Sequence, residues 1–215
     1  MKILCNEKSF VVCEKPAGVL SQSGSGENMP SLLTEELGCA EIYPVHRLDT
    51  AAMGLMVFAK NKSAAACLSA QIAGGEFIKE YLCVVHSAPE KSEGEFTDLL
   101  FKDSAKNKSF VVKKERKGVK KAKLLYKVLD SSNTENGALS LIRVRLLTGR
   151  THQIRVQFAS RKMPLCGDKK YGARDSFSGL ALYSCRLSFC RPETGERLDF
   201  ESEPEKAGAF YLVMS

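Results

Sequence analysis

The sequence predicts an α+β fold, and three observations lead there. Through residues 138–147, Ile142, Val144 and Leu146 alternate with Arg143 and Arg145, the pattern of a strand with one apolar and one basic face. The turn-rich residues 131–137 separate this run from a second strand-like stretch, 123–130, which gives an antiparallel hairpin. Residues 61–73 instead place Ala64, Ala65, Leu68 and Ile72 on one helical face, with Gly74 and Gly75 as the stop. Hairpin strands with helices between them define the class.

The remaining elements follow in order. A short strand is expected near residues 9–13, then a mobile loop over the Ser/Gly-rich residues 21–28, whose glycines do not form a dinucleotide-binding spacing. Residues 54–60 have the continuous apolar run of a buried strand, and residues 77–86 read as another. Thr148-Gly149-Arg150 ends the basic-faced strand, and Thr151 is placed to cap a helix running to about Arg161, with Ile154 and Phe158 on its buried side. Strands at 182–190 and 197–201 flank a Pro192-Glu193-Thr194-Gly195 turn. Residues 209–214 are a short buried strand or helix, which periodicity does not separate.

With 215 residues, 44% of them hydrophobic, the chain can bury one sizeable core, and a single domain over 1–215 is expected. No apolar run approaches the ~18 residues of a membrane span, and the first residues lack a secretory pattern, so a cytoplasmic location without membrane association is expected. The eight cysteines include no C-x-x-C pair and several sit in apolar company. They read as free core thiols in a reducing compartment, with no metal and no cofactor. The net charge of +7 is concentrated: Lys102 to Lys123 holds ten basic residues and two acids, a local +8, leaving the rest at −1. Such a segment is either a solvated loop or a surface that holds a polyanion.

Three groups of residues could carry chemistry. Asp49 follows His46-Arg47-Leu48 and precedes the apolar strand, a position that more often belongs to a turn residue than to a catalyst. Arg150 and Arg155 bracket the first turn of a helix that also holds His152, which is either a capped basic helix or an anion clamp. In Lys79-Glu80-Tyr81, Lys79 and Tyr81 share one face of a strand, where an aromatic ring is usually packing but beside a cleft can stack on a base.

These segments, in this order, resemble the RluA-type pseudouridine synthases. His46-Arg47-Leu48-Asp49 with residues 54–60 is similar to the family's hallmark segment, and Lys79-Glu80-Tyr81 to its lysine-x-tyrosine strand. Residues 148–156 match T-G-R-T-H-Q-I-R-V throughout, and residues 167–172 match G-D-x-x-Y-G. Residues 182–189 with the following turn, and the early Lys15-Pro16-Ala17-Gly18, also fit. The chain departs from the family at Ala51-Ala52-Met53, where an acid-Thr-Ser run is common, and at Tyr183, where histidine is usual. Over these 215 residues, the N-terminal S4 domain that many relatives carry is not expected.

The resemblance implies a mixed, mostly antiparallel sheet with flanking helices and a central RNA-binding cleft. It implies an isomerase that breaks the uridine N1–C1′ bond, turns the uracil and rejoins it through C5, on a base flipped out of transfer or ribosomal RNA, without a cofactor. Asp49 is then the essential carboxylate, acting as nucleophile or base, and Arg155 its pairing arginine. Arg47 enters the space the base vacates, Tyr81 packs on the uracil, and Arg150 and His152 complete the RNA-binding set. The partner is RNA, and a monomer is expected. The competing reading is an RNA-binding or remodelling module of the same fold that has lost turnover through Ala51-Ala52-Met53. Tritium release from 5-tritiated uridine RNA separates the two. A metal-free hydrolase is a third, weaker reading, because no G-x-S-x-G elbow occurs.

Overall fold

The computed structural model describes residues 1–135 and 137–214, in two compact units. The first holds Met1–Lys79 and Tyr183–Glu203, the second Glu80–Leu182 and the residues from Pro204 onward. Strands and helices mix in both, and the fold is α+β. Among the described residues no helix is long and apolar enough to cross a membrane.

In the first unit, β1 (Ile3–Asn6), β2 (Phe10–Lys15), β4 (Met53–Ala59) and β10 (Leu182–Cys190) lie side by side. The two-residue β3 (Tyr43–Pro44) adds to β4, and β11 (Arg197–Glu201) to β10. All these pairs are antiparallel except β10 on β4, where Tyr183 faces Met53 and Ser184 faces Gly54. Gly54 sits at φ +104°, and a Cβ there would lie 2.4 Å from the Ser184 carbonyl oxygen, so this crossing requires glycine. The strand run of 54–60 thus begins one residue early.

The helix expected at 61–73 is α2 (Lys62–Gly74), with Asn61 as its N-cap accepting from the Ala64 N–H and Gly75 closing it at φ +79°. Its buried Gln71 docks it by bonding both the N–H and the carbonyl of Cys190, at 2.7 and 2.8 Å. Leu68 and Ala64 pack into a core with Phe10, Val12, Leu55, Val57, Phe77, Leu187 and Phe189. Phe77 stacks on Phe189 at 5.3 Å and 8°, and Phe10 meets Phe189 edge-on at 5.4 Å. The Ser/Gly-rich loop leads into α1 (Met29–Leu37), capped by Asn28.

The second unit holds the antiparallel strands β5 (Ile78–His86), β6 (Glu93–Asp103), β7 (Lys108–Val112), β8 (Val119–Thr134) and β9 (Gly137–Leu146), in the order β5-β9-β8-β6-β7. The hairpin expected at 123–147 is β8–β9, but longer at its tip than the turn-rich composition suggests. Ser131 pairs with Ser140, and Asn133 with Ala138, so the polar stretch is strand. Hydroxyl bonds compensate for its poor strand propensity, Ser131 with Ser140 at 2.9 Å and Thr134 to the Gly137 carbonyl at 2.9 Å. Much of the basic segment is strand: β7 pairs with β6, and the exposed stretches are the turn at 104–107, with Lys106, and the connection to β8, with Lys113, Lys114, Arg116 and Lys117.

Helix α3 (Gln153–Ala159) packs Phe158 against Phe96 and Tyr126, with ring centroids 5.1 and 6.3 Å away. It is shorter than expected, and Thr151 does not cap it. His152 occupies the N-cap at φ +52° without a side-chain cap bond, and the Gln153 amide closes the helix start instead. Its Oε1 accepts from the Arg150 N–H at 3.0 Å and the Thr148 hydroxyl at 2.8 Å. The C-terminal residues resolve as a short helix, α4 (Gly208–Tyr211). Among the described residues, none of the eight cysteines forms a disulfide.

Candidate active site

In the first unit, Asp49 is the first residue of a tight turn, its carbonyl accepting from the Ala52 N–H at 3.0 Å. The turn is strapped on both sides. Upstream, the Ser21 hydroxyl donates to the Leu48 carbonyl at 2.7 Å and accepts from the Leu48 N–H at 3.0 Å. Downstream, the Thr50 carbonyl accepts from the Gly18 N–H at 2.8 Å and from Lys15 Nζ at 3.1 Å. The side chain of Asp49 is half-buried, while Arg47, two residues before, is exposed. His46 is buried and anchors the segment to β4: its Nε2 accepts from the Val57 N–H at 3.1 Å, and its ring lies 5.6 Å from Phe77. Burial, with the Lys79 charge nearby, pulls His46 down to about 3, so it works as a neutral structural group.

Ser21 and Lys15 are positioning residues that composition hides, Ser21 inside a segment that reads as a mobile loop. Ala51, Ala52 and Met53 bring no hydroxyl to the turn, and the straps from residues 15–21 fix its backbone. At the late-strand departure, the Tyr183 hydroxyl bonds Ser202, whose hydroxyl donates to Glu14 at 2.5 Å.

Lys15 is 1% exposed, and its ammonium donates to the carbonyls of Pro16, Val19 and Thr50. Burial lowers it from 10.5 to about 8, against the attraction of Asp49, which raises it. Between about 8 and 10.5 the unfolded chain holds this proton and the folded chain does not, so this group's contribution to stability rises with pH across that window. Wild type should therefore gain on Lys15→Met by roughly 2–3 kcal/mol between about pH 7 and pH 10, in paired urea titrations. A difference that does not change with pH would contradict this.

In the second unit, Arg155 on α3 is buried and makes a two-pronged contact with Asp168, Nε to Oδ2 at 2.7 Å and an Nη to Oδ1 at 2.8 Å. Its guanidinium also lies 5.1 Å from the ring centre of Tyr171. The Tyr171 hydroxyl gathers further groups, accepting from the Ser109 N–H at 2.8 Å and pairing with His152 Nδ1 at 2.9 Å. Ser109 in turn donates its hydroxyl to the Thr151 carbonyl at 2.7 Å, which fastens the start of α3 to β7. Arg150 is exposed and bonds the Lys121 carbonyl through Nε at 3.1 Å. Tyr81 is 5% exposed on β5, in register with Val144 of β9.

Of the anion clamp expected around the first turn of α3, these contacts show the part that binds a carboxylate. The helix has seven residues, His152 is bonded to Tyr171, and the Arg155 guanidinium is held by a carboxylate. The G-D-x-x-Y-G segment is legible in the sequence as a match but not as a set of roles. Its Asp168 and Tyr171 prove to be the partners that orient Arg155 and His152.

Comparison with known proteins identifies the family and the fold. The model of the RNA pseudouridylate synthase family matches residues 9–160. The dual-specificity RNA pseudouridine synthase RluA of Vibrio parahaemolyticus is 33% identical over 89% of this chain and 78% of its own length. The ribosomal large subunit pseudouridine synthase D of Zymomonas mobilis is 30% identical over 94% and 69%. The solved structure of human RNA pseudouridylate synthase domain containing 1 superimposes with a TM-score of 0.80, at 20% identity, over 96% of this chain and 84% of that one, which shows a shared fold. The chain belongs to the RNA pseudouridylate synthase family, in its RluA-type branch. Its activity is that of an isomerase acting on RNA.

Proposed function

We propose that the chain converts uridines of structured RNA, transfer or ribosomal, to pseudouridine through Asp49. The observation that carries this is the doubly strapped turn, which holds a half-buried carboxylate beside the exposed Arg47. A carboxylate that only capped a turn would not need fixing at the residues on both sides of it. The name of the Zymomonas relative, directed to the large ribosomal subunit, supports ribosomal RNA, and that of the Vibrio relative records a dual specificity.

In this reading the flipped uridine loses its N1–C1′ bond, the uracil rotates, C5 bonds to C1′, the C5 proton leaves to solvent, and N1 takes up a proton, so the product is an isomer of the substrate. Asp49 serves as nucleophile at C1′ or as base at C2′. Arg155, oriented by Asp168, supplies the cation that favours its ionised form. Arg47 fills the gap left in the RNA, and Tyr81 is one wall against the uracil. Arg150, His152 and the Lys/Arg-rich β7–β8 connection hold the surrounding backbone. The reaction is redox-neutral and asks for no cofactor, and a cytoplasmic monomer suffices for it. Pseudouridine mapping of cellular RNA with and without the gene tests the proposal and identifies the target. Unchanged maps would reject it.

The basic connection makes its own prediction. Replacing Lys113, Lys114, Lys120 and Lys121, all exposed, by Gln should weaken RNA binding and flatten its salt dependence. Each phosphate that is no longer neutralised should lower the log–log slope by roughly 0.7–0.9. Turnover at saturating RNA should stay near wild type. An unchanged slope would show that these lysines neutralise no phosphate.

A further inference from the structure

We propose that His86, Cys166 and Asp175 form a binding site for one divalent cation of the zinc class, using none of the residues assigned above to the reaction. One donor atom from each lies within 4.8 Å of the other two. His86 Nε2 and Asp175 Oδ2 are already 2.6 Å apart. A sulfur, a nitrogen and an oxygen donor together match the mixed ligand sets that zinc accepts, and disfavour magnesium or calcium, which take oxygen.

The three donors come from three segments, each held by its own backbone. His86 ends β5, and its N–H donates to the Pro164 carbonyl at 3.0 Å. The Cys166 N–H donates to the Val84 carbonyl at 2.9 Å, across the bridge of Val85 with Leu165. Asp175 lies on the loop beyond the G-D-x-x-Y-G turn, and its carboxylate accepts from the N–H groups of Gly167 and Phe177, all at 3.1 Å. Such second contacts orient metal ligands. The carboxylate is 1% exposed and the His86 side chain 21%.

Zinc–ligand distances of about 2.0–2.3 Å put tetrahedral donors roughly 3.3–3.8 Å apart. The His–Asp contact must open by under about 1 Å and the Cys166 sulfur swing inward, a side-chain adjustment alone. An open cavity of about 570 Å³ reaches His86 and Asp175 and leaves room for a fourth ligand. Lys162 and Arg174 on its wall favour water or an anion there. The sequence expectation of no metal weighs the spacing and apolar surroundings of the cysteines and the scarcity of histidines, all local features. These donors are 80 and 9 residues apart along the chain (166 minus 86, 175 minus 166), and only folding assembles them. The competing account is an ion pair beside an inert core thiol.

Cobalt and zinc titrations of the chelator-treated full chain decide between them. One equivalent of Co²⁺ should produce a sulfur-to-cobalt charge-transfer band that Zn²⁺ then abolishes, and Zn²⁺ should raise the melting temperature. Cys166→Ala should lose the band, and His86→Gln, at a partly exposed position that leaves the core intact, should weaken binding by about 100-fold or more. Cys39→Ala, at a loop cysteine, should keep both. Absence of the band at one equivalent, or a band of equal strength and affinity in Cys166→Ala or His86→Gln, would overturn the proposal.

Discussion

Asp49→Asn should lose isomerisation by about 10²–10⁴-fold, the range that a positioned acid or base contributes, while binding RNA as tightly as wild type or more so. The asparagine keeps the shape of the carboxylate, and the straps that hold the turn reach the backbone of Leu48 and Thr50, not the side chain. The loop should therefore stay in place and only the chemistry should go. Removing a negative charge next to a polyanion cannot weaken attraction to phosphate. Single-turnover assays and RNA titrations on the same preparation check both halves. Turnover near wild type would remove Asp49 from its role.

Asp168→Ala should destabilise the fold by about 3–5 kcal/mol, the cost of breaking a buried ion pair by removing one partner. Both prongs of its contact with Arg155 run through side chains that are 8% and 1% exposed. Turnover should fall with it, because nothing would then orient the Arg155 guanidinium from that side. Asp168→Asn, which keeps the volume and one acceptor, should lose less. Urea unfolding of the three proteins gives the ordering, and a loss under about 1 kcal/mol for the alanine variant would contradict the assigned pair.

How far the sequence reaches depends on the range of the interaction that decides each feature. The alternation of Ile142 and Val144 with Arg143 and Arg145 is a local period, and it correctly places β9. Asn61 and Gly75 are local caps, and they bound α2 to within a residue. Thr151 fails as a cap because Gln153 offers an amide that satisfies Thr148 and Arg150 together, a choice that propensity does not contain. Ser21 is hidden by its Ser/Gly-rich neighbours, although its hydroxyl is the upstream strap of the Asp49 turn. Arg155 is legible as a motif residue. Its Asp168 partner is not, because nothing in the thirteen-residue separation dictates the turn that brings the carboxylate back.

The central claim, an RNA uridine isomerase centred on the Asp49 turn, is tested most directly by tritium release from 5-tritiated uridine RNA. Rejoining through C5 expels the hydrogen there, and no simple binding event does so. The purified chain should release tritium into water in step with pseudouridine formation and without any added cofactor. Tight, salt-sensitive RNA binding with no release would contradict the account and establish the chain as a binding module of the same fold.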